Sequence, residues 1–304
     1  NWTGNRITCR DWFQLCLKEG LTVFRDHEFS ADMRSRPVRR ISEVRALRAA
    51  QFPEDAGPLA HNVRPEQYAE INNFYTATIY EKGSEVIRML KVLLGDEAFY
   101  RGMTLYFDRH DGTAATVENF ISCFAESSGR DLAQFFRWYT QAGTPLLRAA
   151  SSYDPAAKTL TLDLEQEIKP TPGQPEKQPV VIPVALGLVG ANGEDVPLRT
   201  AAHDGASAHE LEHGVIEFST PQRRIVFTDV GQPAVPSLLR GFSAPVKMTS
   251  SMSEDDLVTL MRHDSDSFNR WQAVQTYATR LLTRSVERIR AGDLPPQDEA
   301  FADA

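Results

Sequence analysis

Glu19 stands where a charge is costly. On a helix opened by Asp11 and beginning at Trp12, its neighbours three and four residues away are Leu15, Cys16 and Val23. The carboxylate therefore lies on the apolar stripe. A buried carboxylate needs a partner, either a cationic side chain or a metal ion. A Glu that reaches past its stripe to a Lys or Arg satisfies the same pattern, so Glu19 alone leaves both readings open. A second signal is more conspicuous. His209-Glu210-Leu211-Glu212-His213 is a literal HExxH, whose spacing could stack two imidazoles on one helix face with a Glu between them. Its setting argues otherwise. The Asp204-Gly205-Ala206-Ser207 stretch before it reads as a loop, Gly214 follows at once, and Val215 to Phe218 resumes a strand pattern. That leaves too little room for a stable helix, and the expectation is an exposed polar loop.

The elements that must position these groups fall into three stretches. Residues 1–143 read as mostly helical. One helix begins at Trp12, and Pro37 opens another with Val38, Ile41, Val44 and Leu47 on its apolar side. Glu81 to Leu94 is amphipathic and stops at Gly95. Shorter helices follow over Glu97 to Arg109, Val117 to Ser127 behind a Thr116 cap, and Asp131 to Tyr139. From 144 to 247 the pattern becomes strand-like. Thr159 to Leu164 alternates, four prolines (Pro170, Pro172, Pro175, Pro179) precede Val180 to Val189, and Asn192-Gly193 signals a hairpin into Val196 to Leu198. Val215 to Phe218 and Arg224 to Phe227 complete a set of short strands that predicts a β-sandwich. Over 248–304 helical periodicity returns behind a Ser253 cap, with Asp256 placed for a capping box, and continues over Phe268 to Arg290. The tail from Gly292, with Pro295-Pro296, has none. Some 57 residues is short for an independent helical domain, so the opening of a larger one is expected.

Asn1-Trp2-Thr3-Gly4-Asn5, Thr8, Trp12 and Lys18-Glu19-Gly20-Leu21-Thr22 together resemble the aminopeptidase N family, the zinc aminopeptidases of the gluzincin type. The Lys-Glu-Gly-Leu-Thr wording is similar to the bacterial branch. In that family an HExxH helix is followed by 18 residues and then by a Glu that completes the zinc site. Asn1 to Lys18 is 18 residues, so the resemblance makes Glu19 the third ligand and places the second His immediately before Asn1. A second stretch agrees: Asn72-Asn73-Phe74-Tyr75, then Ile79-Tyr80-Glu81-Lys82-Gly83. It resembles the segment whose second Tyr stabilises the tetrahedral intermediate. That position is Tyr80, and a phenol hydroxyl can donate to an oxyanion whose oxygen zinc also polarises. Tyr75 matches a position lining the pocket for the substrate's first side chain. Asp26, seven residues beyond Glu19 on the same helix face, could orient a zinc-bound His, or could simply face solvent.

The resemblance runs over nearly the whole chain, through Gln141 to Pro145, Glu176 to Pro179 and Phe242 to Lys247. It implies a multidomain α+β architecture: the C-terminal helical part of a thermolysin-like catalytic domain, a β-sandwich, and the start of an α-helical superhelix. It also implies one Zn2+, peptide substrates with a free N-terminus, and an alanyl-aminopeptidase-like hydrolase. Both histidines, the general-base Glu and the Gly-x-Met-Glu-Asn segment that holds the substrate amine would lie upstream. This chain alone is therefore expected to be inactive. The alternatives are an epoxide-hydrolase-like relative on the same scaffold and a non-catalytic helical and β-sandwich binding module.

The bulk composition is compatible with that reading. The chain has 304 residues, 41% hydrophobic and 24% charged, with a net charge of −8 that argues against a nucleic-acid partner. No apolar run nears the ~18 residues of a membrane span. Three scattered cysteines fit neither a disulfide framework nor a Cys-based zinc site, and suit a reducing cytoplasm. A monomer is the expectation. Arg34, Arg36, Arg39, Arg40, Arg45 and Arg48 mostly fall off the apolar face of their helix and are expected to be solvated or paired with upstream acids. The Asn1-Trp2-Thr3 glycosylation sequon carries no weight at such a junction.

Overall fold

A short strand and a capped turn lead into the first of two long helices. The computed structural model describes residues 2–201, 205–294 and 301; the sequon's Asn1, Asp204 and Pro295-Pro296 lie outside them. A two-residue strand β1 (Thr8–Cys9) pairs in parallel with β2 (Ala114–Ala115). Asp11 then accepts from the Phe13 N–H at 3.0 Å and caps a 3-10 turn, Trp12–Gln14, which runs into α1 (Leu15–Met33). Next come α2 (Arg36–Asp55), with proline in its first turn, and a π-helical turn, Thr78–Lys82, that leads into α3 (Gly83–Leu94). Gly95, at φ 76°, ends α3, and α4 (Asp96–His110) and α5 (Val117–Ser128) pack as an antiparallel pair. Thr116 and Asn119 form a full capping box on α5.

Asp131 to Tyr139 does not become a helix; only α6 (Arg137–Thr140) does. Asp131 takes the Ala133 N–H at 2.8 Å, while the Gln134 and Arg137 side chains donate to the Ser219 and Pro179 carbonyls at 2.6 and 2.7 Å. Side-chain bonding to the segments that flank the later strands wins over helix propagation.

The strands form a sandwich. One sheet holds β3 (Leu146–Asp154), β4 (Thr159–Glu167), β8 (Gln222–Phe227) and β10 (Lys247–Ser250) in the order β10-β3-β4-β8. The other is built on β5 (Ile182–Gly190), which pairs with β6 (Asp195–Val196), β7 (Val215–Phe218) and β9 (Ala234–Leu238). In the first sheet Leu162 is paired with Ser151 on one side and Ile225 on the other. Leu160, Leu162 and Leu164 are buried, as the alternation of β4 requires. Gly193, at φ 82°, makes the hairpin between β5 and β6.

Between β6 and β7 lies α7 (Ala208–His213), in the segment where a loop was expected. Ser207 and Glu210 form a capping box and Gly214 closes the helix at φ 63°, so both ends of a six-residue helix are satisfied. The last elements are α8 (Glu254–His263), capped by Ser253 with Asp256, and α9 (Ser267–Arg290), capped by Asp266. One apolar core runs from α1 through α3 and α5 into the sandwich, where the Trp138 indole donates to the Val181 carbonyl at 2.7 Å. Smaller clusters join β5 and β9 to the α8–α9 pair, and α2 to Phe242 and Phe268. No described helix is long and apolar enough to cross a membrane.

Candidate functional site

Two glycines bring the proposed zinc ligand and the proposed oxyanion donor together. A Cβ on Gly20 would lie 2.8 Å from the Gly83 carbonyl carbon, and one on Gly83 would lie 3.3 Å from the Gly20 Cα. Here α1 crosses the start of α3 backbone to backbone, an approach that a side chain at either position would force apart. Glu19 precedes one glycine and Tyr80 precedes the other by a turn. Across this crossing the Glu19 carboxylate lies close enough to the Tyr80 phenol for its charge to act on it. Burial first, and then the negative charge of Glu19, push the Tyr80 phenol up to about 12, so it holds its proton.

The Glu19 side chain is 12% exposed, and Lys18 Nζ donates to its Oε1 at 2.7 Å. The Lys18 ammonium is held above its ordinary value, chiefly by that bond. Tyr75 lies at the end of a 3-10 turn, Ile71–Phe74, with its ring exposed and its centroid 6.5 Å from that of Tyr80. Glu19, Tyr80 and Tyr75 thus share one surface. Asp26 lies two turns further along α1; its side chain is 63% exposed, and Arg39 Nη2 is 3.6 Å away.

The next residue along α1 was not singled out by sequence. His27 is buried, its Nδ1 lies 3.6 Å from Glu43, and burial pushes its imidazole down to about 4. It belongs to a charged cluster of Arg40, Glu43, Glu85 and Arg88. Arg40 itself corrects the expectation of a solvated or locally paired basic face. It is buried, forks Glu85 through two bonds of 2.6 Å, and donates to the Gly241 and Phe242 carbonyls at 2.9 Å. Arg36 does pair with upstream acids, Glu28 and Asp32. An arginine's planar fork tolerates burial when every donor finds an acceptor, and periodicity alone cannot reveal such long-range partners.

The HExxH signal resolves into a structural motif. The rings of His209 and His213 do meet on one face of α7, tilted by 57° with centroids 4.4 Å apart. The Glu between them turns away. Glu210 accepts from the Ser207 and Glu217 N–H groups at 2.7 and 2.8 Å and from Arg223 at 2.7 and 2.8 Å. Burial opposes its ionisation, yet Arg223 and these backbone donors hold its carboxyl below the usual range. At the family spacing, 19 residues beyond His213, stands Gln232, which donates to Asn192. Among the described residues no group of three or more His, Cys, Asp or Glu side chains could hold a metal ion. Both histidines are exposed. Replacing His209 and His213 together with Ala is expected to leave zinc content and turnover of the complete enzyme within about twofold, as for surface sites generally. Loss of one equivalent of zinc in that variant would move the metal centre here.

Comparison with known proteins agrees with the architecture. Residues 1–139 match the Peptidase family M1 domain, 143–251 a domain of unknown function with an Ig-like fold, and 254–304 its companion of ARM repeats. The structure is thus a helical catalytic-domain segment followed by an Ig-like sandwich and the start of a helical-repeat domain. The chain is 48% identical to the Aminopeptidase N of Escherichia coli (strain K12) over 292 residues, 96% of this chain and 33% of that protein. To the Aminopeptidase N of Caulobacter vibrioides it is 54% identical over 306 residues, 100% of this chain and again 33% of the relative. A crystal structure of Legionella pneumophila aminopeptidase A in complex with aspartic acid superposes with a TM-score of 0.78 at 28% identity, covering 99% of this chain and 31% of that one. The chain belongs to peptidase family M1. It spans about a third of the length of the curated relatives it matches.

The family is zinc-dependent. The residues present fit one share of such a site. Glu19 is a nearly buried carboxylate whose hydrogen-bond partner, Lys18, is itself a cation, so its lone pairs face a position that a metal ion could share.

Proposed function

We propose that this chain carries the third zinc ligand and the oxyanion donor of an aminopeptidase that removes N-terminal residues from peptides. The observation that carries the reading is the Gly20–Gly83 backbone crossing, which sets the Glu19 carboxylate beside the protonated Tyr80 phenol. It puts a candidate ligand and a neutral donor in one place. The Aminopeptidase N relatives from E. coli and C. vibrioides support the same conclusion.

In this reading Glu19 holds zinc together with two upstream histidines. When bound, the ion lowers the pKa of a coordinated water toward ~7 and polarises the scissile carbonyl. The chain's own residues do the rest of the local work. Tyr80 keeps its proton and donates to the oxygen on which charge develops. Tyr75 offers an exposed ring beside it, against which the substrate's first side chain packs. Asp26, whose exposed carboxylate also pairs with Arg39, orients a zinc-held imidazole. The modules run 1–143, 144–247 and 248–304. The complete enzyme is a monomeric cytoplasmic protein, in keeping with the free thiols of Cys9, Cys16 and Cys123.

The complete enzyme is expected to cleave short peptides with a free N-terminal amine and to spare their N-acetylated forms. Chelation should abolish cleavage and added Zn2+ restore it. Undiminished turnover after zinc has been stripped, or equal turnover of acetylated peptides, would overturn the proposal.

A further inference from the structure

The turn that carries Tyr80 is gripped at both ends by the last turn of α2. At its start, Glu54 Oε1 accepts from the Thr78 N–H at 2.7 Å and from the Thr78 hydroxyl at 2.5 Å, and Gln51 Nε2 donates to the same hydroxyl at 3.3 Å. At its end, Lys82 Nζ donates to Asp55 Oδ2 at 2.6 Å and to the Gly143 carbonyl at 3.1 Å. Asp55 also accepts from the Gly143 N–H and the Thr144 hydroxyl, both at 2.9 Å. The Asp55 and Lys82 side chains are 0% and 1% exposed. Tyr80 stands midway, two residues from each anchor.

This arrangement is an inefficient way to gain stability. A buried ion pair largely forfeits in desolvation what it gains in attraction, and apolar residues of similar volume would serve as well. What it does well is fix geometry. The turn from Thr78 to Lys82 is π-helical, a rare conformation that is frequently found at functional sites. A rare turn of this kind keeps its shape where its surroundings hold it. Here three carboxylate and ammonium groups do so, and they tie the turn to α2 and to the entry of the sandwich at Gly143 and Thr144.

We infer that Glu54, Asp55 and Lys82 are positioning residues that hold the Tyr80 hydroxyl at the reacting oxygen, an inference that rests on the reading of Tyr80 as oxyanion donor. The Asp55–Lys82 pair sets the end of the turn, and the Glu54–Thr78 contact sets its start. A small displacement of the phenol would weaken its bond to the developing charge while leaving substrate binding and Glu19 in place.

The test uses the complete zinc-loaded enzyme, four single variants (Glu54→Ala, Glu54→Gln, Lys82→Met and Tyr80→Phe) and the Glu54→Ala, Tyr80→Phe double variant. Glu54→Ala and Lys82→Met are expected to lower kcat by about 10–100-fold with KM within about threefold, as for a misplaced catalytic group. Zinc content should not change. Amide exchange over residues 76–84 should speed up. Glu54→Gln keeps an oxygen for Thr78 and should recover most of the loss. In a Tyr80→Phe background, Glu54→Ala should cost less than about twofold more, since both substitutions remove one interaction. Glu54 is only partly buried, so it decides the matter even if Lys82→Met does not fold. An additive loss in the Tyr80→Phe background, or full kcat in Glu54→Ala despite faster exchange, would overturn the inference. Full kcat in Tyr80→Phe alone would instead overturn the reading of Tyr80 beneath it.

Discussion

Glu19→Ala is expected to remove zinc and peptidase turnover from the complete enzyme together, each by roughly 10²-fold or more. Residues that merely orient zinc ligands cost about 10–100-fold when lost, so losing a ligand should cost at least that. The fold should not suffer comparably. The carboxylate faces Lys18, whose side chain is 41% exposed and can return to water. Losing one part-exposed ion pair costs about 1 kcal/mol. Elemental analysis, turnover and a thermal melt on the same preparation separate the two effects. Glu19→Gln sharpens the test, because it keeps the shape of the side chain but supplies a poor ligand. Stoichiometric zinc with near-normal turnover in either variant would remove Glu19 from the metal site.

Much of the architecture is legible in the sequence because it is written in local signals. Asp11, Thr116 and Ser253 announce helix starts through side-chain oxygens that reach N–H groups two or three residues on. Leu160, Leu162 and Leu164 alternate as a half-buried strand must. Other features depend on partners remote in the chain, which periodicity cannot reveal. Arg40 looks like one more basic residue until Glu85 and the Gly241 carbonyl close around it. The segment Asp131 to Tyr139 has helix-forming residues, yet its side chains are claimed by the sandwich. Strand β9 contains Pro236 and β3 lacks clean alternation, so neither declares itself. The six-residue α7 was obscured for another reason: its length is too short for periodicity, and only the Ser207–Glu210 box and Gly214 mark it. At the site, Glu19 is visible as an acid on an apolar stripe and Tyr80 only through resemblance. The Gly20–Gly83 crossing that joins them is visible in neither, because a glycine in a helix does not say which backbone it admits.

Tyr80→Phe removes a single oxygen, and its expected consequence is confined to the chemical step. The ring stays packed against the core, so folding and zinc content should change little. Glu19 keeps its bond from Lys18 at 2.7 Å. The hydroxyl's value lies in meeting charge that exists only as the carbonyl is attacked, so its loss should appear in kcat and not in KM. Deleting one preorganised oxyanion donor costs about 10²–10³-fold in kcat, and that is the range expected here. Position explains why water should not make good the loss. Tyr80 is held by a π-helical turn fastened at Thr78 and Lys82, whereas a water entering the vacated space would have to be ordered at the moment of reaction. A side chain that only shaped the pocket would show the opposite pattern. KM would rise while kcat stayed within about twofold, and peptides differing in their first residue would be affected unequally. Steady-state kinetics on two such peptides, one with a small and one with a bulky first residue, therefore decide between the roles. An equal fall in kcat for both marks Tyr80 as the oxyanion donor, and a change confined to KM or to one peptide assigns it to substrate binding beside Tyr75.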